Sequence, residues 1–245
     1  FNMFKSLSLK VIIFGFIFTF FSSFGQSFFI GLFNSSIRET LSISHGQFGT
    51  IYATATLCSS MLVIWIGKKI DDVNVLKFAI FVTLLLSFSS FFFSKTSSVV
   101  FLFVAIFLMR FSGQGMMSHT ASTTISRYFT KSRGRALSIS WFGLSSAEFI
   151  LPVLIVYSLT LMVWQNIWII ISILVLIILP LSSYFLVKNV KLDNRETDED
   201  VNFKEKKIKQ WKRIEVLGDY RFYIISLNML AMPWIATGVF VYQSF

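Results

Sequence analysis

Seven apolar runs of about 20 residues, joined by polar connections, limit what this 245-residue chain can become. A helix rises about 1.5 Å per residue, so roughly 20 residues cross a hydrocarbon core of about 30 Å. An unpaired backbone N–H or C=O in hydrocarbon costs several kcal/mol, so a spanning segment must be a helix or part of a closed barrel. Alternating strands of about ten residues are absent, which excludes the barrel. The expectation is an all-α membrane protein with spans at 11–33, 47–66, 78–94, 99–126, 136–157, 164–187 and 222–243. Only 14% of residues are charged, against about 25% in soluble domains. The first run is too long for a signal peptide and lacks a small-residue cleavage site, so it reads as a retained span. The first residue is Phe and the last apolar run stops at Phe245, so both ends read as cut.

The net charge is +10, but it is distributed as membrane topology demands rather than as a nucleic-acid face. The N-terminus and the connections after spans two, four and six hold 19 of the 22 Lys and Arg residues. The opposite side holds Arg38 and Lys95. The positive-inside rule then places the N-terminus in the cytoplasm, as in a bacterial inner membrane. No nucleic-acid partner is expected; the lipid bilayer is. Trp164, Trp168 and Tyr184 at the ends of span six read as interfacial belts.

The connection at 188–221 is longer than the rest. It has an acidic run from Asp193 to Asp200, then a basic amphipathic stretch from Lys204 to Arg213 suited to an anionic leaflet or a partner. It divides the chain into a six-helix unit at 1–187, a cytoplasmic loop at 188–221 and one further helix at 222–245.

Arg110 lies inside the fourth apolar run. A cation at mid-span costs roughly 2.5–3.5 kcal/mol on insertion scales. Glu148 is the matching anion in span five. Each lies about 12 residues from a span end, roughly 18 Å in at 1.5 Å per residue, so the two are at similar depth on antiparallel neighbours. They read either as a buried ion pair or as substrate and coupling groups: Arg110 for an anionic group, Glu148 as its resting partner or a proton carrier. Gln114 is one turn from Arg110, between Gly113 and Gly115, which allow close helix packing. Gln26, Tyr52 and Trp141 are cavity candidates or interhelical hydrogen-bond partners. Asn228, Trp234 and Thr237 surround Pro233 in span seven. Gly67, at the end of span two, reads as a tight helix exit, and Asp71 either caps the next helix or accepts bonds from a neighbouring helix N-terminus. His119 lies toward the inner end of span four. Cys58 is the single cysteine, so no intrachain disulfide forms. The His residues have no metal-ligand spacing, and phosphate-binding loops and nucleophile elbows are missing. No metal, no cofactor and no enzyme activity are expected.

These features together resemble the N-terminal half, plus the seventh helix, of a major facilitator superfamily transporter. Gly67 and Asp71 stand at the Gly and Asp of that family's G-x-x-x-D-[RK]-x-G loop, the two forming a candidate gating loop. Arg110 with Gly113 and Gly115 is similar to its helix-four motif. The run from Arg127 to Ser138 is similar to its basic helix 4–5 connection. Asp72 and Asn74 depart from the loop motif, and span five carries Glu148 where drug antiporters carry a Gly/Pro signature. The resemblance implies two six-helix bundles, a small-molecule substrate bound near the midplane, and alternating access by rocking. Helices one, four and seven would line the cavity, which places Gln26, Arg110 and Gln114 there. It implies secondary transport, of an organic anion if Arg110 binds substrate, with a proton or ion as coupling partner. A transporter-like sensor that does not transport is the alternative. A complete seven-helix receptor is opposed by the long loop before span seven and the absence of Lys in that span.

Overall fold

The computed structural model describes residues 6–129, 131–188, 190 and 213–242. Its regular structure there is helical throughout, and seven stretches are long and apolar enough to cross a membrane. They are Leu7–Gly31, His45–Ile70, Val75–Ser94, Val99–Tyr128, Arg133–Leu161, Trp164–Val187 and Tyr220–Val241. Each overlaps one of the seven apolar runs.

Span one is not a single helix. It runs as α1 (Ser6–Ser22), a 3-10 turn at Ser23–Gly25, an extended Gln26 and then α2 (Ser27–Gly31). The connection predicted at 34–46 is largely helical instead: α3 occupies Asn34–Leu41 and ends on Ser42 in the left-handed region at φ 53°. Its Asn34 is buried and its amide donates to Val241 O, so the Asn-Ser-Ser triplet there is a packing element.

The next helix, α4 (His45–Ile66), starts on a capping box. Ser44 Oγ accepts the Gln47 N–H at 3.2 Å, and Gln47 Oε1 accepts the Ser44 N–H at 2.8 Å. A 3-10 turn at Gly67–Asp71 leads to α5 (Val75–Ser94), capped by Asn74, whose Oδ1 accepts the Leu76 N–H at 2.9 Å. Span four comprises α6 (Val99–Met109), a π-helical segment at Arg110–Met117 and α7 (Ser118–Tyr128). Two long helices follow, α8 (Arg133–Leu161) and α9 (Trp164–Val187), containing Pro152 and Pro180 without interruption. The turn predicted at 158–163 shrinks to Met162 and Val163, because α8 continues to Leu161. The acidic run and the amphipathic stretch up to Lys212 lie outside the described residues. A short α10 (Arg213–Leu217) precedes α11 (Tyr220–Tyr242).

The most extensive packing joins α5 to α9 and α1 to α8. Small residues set the approach of α5 and α9. Ser87 Oγ donates to Ser172 O at 2.9 Å, and Ser172 Oγ donates to Ser87 O at 2.8 Å. Lipid tails are as apolar as leucine, so close contact and such hydrogen bonds hold membrane helices together. Span one is half buried, whereas only 6% of span seven is buried, against α2.

Trp164 and Trp168 are not interfacial belt residues. Both are buried. Trp168 centres an aromatic cluster with Phe93, Phe33 and Phe29, at ring-centroid distances of 4.5, 5.2 and 5.5 Å. The packing of α9 against α5 and α1 turns this face inward. Trp164 Nε1 donates to Thr40 Oγ1 of α3 at 3.2 Å. Trp168→Ala is expected to destabilise by about 3–5 kcal/mol, the range for large aromatic truncations. Trp168→Phe should be milder, because Nε1 has no partner to lose. Thermal denaturation in detergent would measure both; equal melting points for the two variants would contradict the cluster's role.

Candidate functional site

The break in span one falls where the sequence permits it and a contact with span four fixes it. Ser22, Ser23, Gly25, Gln26 and Ser27 are small or polar, and Ser22 Oγ turns back onto Thr19 O at 2.7 Å. Gly25 then meets span four backbone to backbone. A Cβ on Gly113 would lie 2.7 Å from both N and Cα of Gly25, and one on Gly25 would lie 2.5 Å from Gln114 N. Glycine at both positions is a requirement of this contact. Gly115 faces the other way, where a Cβ would strike Val63 Cγ2 of α4 at 2.5 Å.

Arg110 opens the π-helical segment, a form frequently found at functional sites. Its side chain is 5% exposed. It reaches into the gap in span one: Nη1 donates to Gly25 O at 3.0 Å and to Ser27 Oγ at 3.3 Å. The guanidinium carbon sits 5.2 Å from the centroid of the Tyr52 ring, an attractive cation–π position. Tyr52 OH donates to Ser27 Oγ at 2.9 Å, so Ser27 joins spans one, two and four. Arg110 Nε is buried without a partner. Among the described residues no carboxylate pairs with Arg110, and the Arg110–Glu148 ion pair is not formed.

Glu148 instead faces a cavity of about 350 Å3. Span one contributes Gln26, Ser27 and Phe28 to its wall; span four contributes Gln114 and Ser118. From α8 come Trp141, Leu144 and Glu148, and from α11 Pro233, Ala236, Thr237 and Phe240. Gln26, Gln114 and Glu148, each singled out separately in the sequence, thus share one wall. Arg110 stands behind it, separated from the cavity by Ser27. Glu148 has no hydrogen bond within the described residues, and Ser118 Oγ is buried without one. Thr237 Oγ1 is 3.5 Å from Ser27 Oγ. Trp234, by contrast, is 81% exposed, and Asn228 is exposed with its amide on Ile224 O. Ser27 and Ser118 are site residues that sequence reasoning does not reach. Ser27 is one of the small or polar residues at the break, but its partner Arg110 lies 83 residues away.

The basic end has a second constellation. Gly67 has φ −57°, so no left-handed exit is used there. What it supplies is room: a Cβ would lie 3.2 Å from the His119 ring, and His119 Nε2 is 2.9 Å from Gly67 O. Asp71 ends the 3-10 turn, and its side chain lies outside the described residues. Among the described residues no group of three His, Cys, Asp or Glu side chains is placed to hold a metal.

The cavity can offer a small molecule hydrogen bonds, an aromatic face and the Glu148 carboxyl, with the Arg110 cation one residue behind its wall. The Major Facilitator Superfamily model matches residues 15–245. No curated protein matches the chain. Among solved structures, it is similar to the crystal structure of a bacterial homolog to the human lysosomal transporter Spinster, in an inward-facing and unoccupied conformation. The identity is 17% and the TM-score 0.72, over 98% of this chain and 55% of the other. The chain therefore spans just over half the length of that structure.

Proposed function

The chain belongs to the major facilitator superfamily, and on that footing we propose that it forms the first half of an alternating-access carrier for a small organic anion. In this reading residues 1–187 are the first six-helix bundle, 188–221 the cytoplasmic inter-bundle loop and 222–245 the first helix of the second bundle. The N-terminus is cytoplasmic, in a bacterial inner membrane. The observation that carries the substrate class is the setting of Arg110: a 5% exposed cation beside the cavity, partnered by a carbonyl, a hydroxyl and an aromatic face. A carboxylate or phosphate entering from the cavity would complete its hydrogen bonding and supply the missing counter-charge. Gln26, Gln114 and Thr237 would orient the rest of the solute. The direct test is uptake of labelled carboxylates, sugars and amines by the full-length protein in proteoliposomes; saturable uptake confined to neutral or cationic solutes would refute the anion reading.

Glu148 would carry the coupling proton, since it faces the cavity without a protein partner. Glu148→Gln is expected to leave solute exchange within about two-fold of wild type while lowering proton-driven accumulation at least about ten-fold, the pattern for a lost proton carrier. Accumulation that persists in the variant would remove Glu148 from coupling. The loop after span two supports a second reading, a transporter-like sensor. Asp72 replaces the motif's basic residue, and Asn74 serves as a helix cap where the motif has glycine. Saturable solute binding without flux would favour it.

A further inference from the structure

We propose that a pocket at the basic ends of α7 and α8 is a second site, which binds an oxyanion group such as phosphate or carboxylate. It has about 310 Å3 and is lined by Ser122, Thr123, Ser126 and Arg127 of α7 and Arg133 of α8. Its lining residues carry two guanidinium groups and three hydroxyls, and none of them is acidic. Arg133 is held in place by its Nε, which donates to Phe129 O at 3.4 Å. It is also the first residue of the 29-residue α8, and Ser132 in front of it makes no side-chain cap. The helix start therefore adds amide donors and partial positive charge to the same corner.

Membrane topology explains the arginines but not the hydroxyls. Basic residues anywhere near this end satisfy orientation; Ser122, Thr123 and Ser126 contribute nothing to it. Hydroxyls on membrane helices commonly donate back to the preceding turn, as Thr120 does to Met116 O at 2.7 Å and Ser138 does to Gly134 O at 3.0 Å. Among the described residues those of Ser122, Thr123 and Ser126 have no such partner, and all three residues line the pocket. Ser122 and Ser126 share one face of α7 at a four-residue spacing. The same span supplies Ser118 and Gln114 to the mid-span cavity. A polar row thus links that cavity to the arginine pair, and the pocket stands where the row meets water. Hydroxyl and guanidinium groups lining one pocket suit the three oxygens of a phosphate or the two of a carboxylate.

Two sources share this chemistry: a soluble anion and an anionic lipid headgroup. The inference does not depend on transport, because occupancy can be read directly. The full-length protein is placed in phosphatidylcholine nanodiscs and treated with phenylglyoxal, and modification of each arginine is followed by peptide mass spectrometry. Inorganic phosphate is expected to protect Arg127 and Arg133 at least about five-fold and saturably, with Arg38 and Arg135 unaffected. In a second arm, discs containing phosphatidylglycerol without phosphate identify the headgroup as occupant if protection appears only there. The double variant S122A/S126A should raise the protecting concentration at least about ten-fold, as expected for hydrogen bonds to a charged group. Unchanged reactivity in both arms, equal protection of Arg38 and Arg135, or protection indifferent to loss of the two serines would overturn the site.

Discussion

Arg110→Ala is expected to lower uptake by the full-length protein at least 100-fold while leaving membrane insertion and helix content unchanged. Hydrogen bonds to a charged group contribute about 1.5–3 kcal/mol each, and a bidentate pair lost at the binding step accounts for roughly two factors of ten. The structural part of the effect runs the other way. A mid-span cation costs roughly 2.5–3.5 kcal/mol on insertion scales, and here it is met by a carbonyl, a hydroxyl and the Tyr52 ring rather than by a carboxylate. Removing a buried charge that lacks an ionic partner should not destabilise the fold as breaking a buried ion pair does. Loss of uptake with a preserved melting temperature is thus the signature of a binding role. Arg110→Lys separates charge from shape: it keeps the cation but loses the planar fork that pairs bidentately with an oxyanion, so solute affinity should fall at least about ten-fold. Wild-type uptake by the alanine variant would end the binding assignment.

The second large effect is steric. Gly113→Leu should prevent the chain from accumulating as a folded membrane protein. The first added atom would lie 2.7 Å from N and Cα of Gly25 and 3.3 Å from Ser22 O. Backbone atoms cannot rotate away as a side chain does, so spans one and four must separate. Overpacking in a soluble core costs about 1–3 kcal/mol when side chains can yield. Here separation would also withdraw Gly25 O from Arg110 and open the contact between span one and the π-helical segment. Gly134→Ala is the matched control: nothing lies within 4 Å of its added Cβ, and alanine favours a helix by up to about 1 kcal/mol over glycine. Membrane yield and size-exclusion profile, compared across the two variants, decide the point. A monodisperse Gly113→Leu protein at wild-type yield would refute the backbone contact.

Much of the site can be read from the chain, though not its assembly. Gln26, Gln114 and Glu148 each stand out as polar residues in apolar surroundings, and they do meet in one cavity. Depth along a helix follows from counting residues, so the level of Arg110 and Glu148 can be reckoned; the direction of a side chain cannot be counted. Arg110 turns toward span one because the break at Ser23–Gln26 presents a free carbonyl there. Trp168 departs from expectation for the same reason. A tryptophan near a span end suits an interface by composition, and only the packing of α9 against α5 and α1 decides that it faces inward.

What the sequence determined by itself is the number of membrane helices and the segregation of basic residues to one side. Both follow from transfer free energies that add up segment by segment, each residue counted nearly alone. The tertiary structure alone decided where span one breaks, where span four adopts a π-helical segment, and which groups receive the Arg110 guanidinium. Those depend on contacts such as Gly25 with Gly113, between residues far apart in the chain. Their favourable energy exists only once the two helices lie together, so no local stretch of sequence carries it.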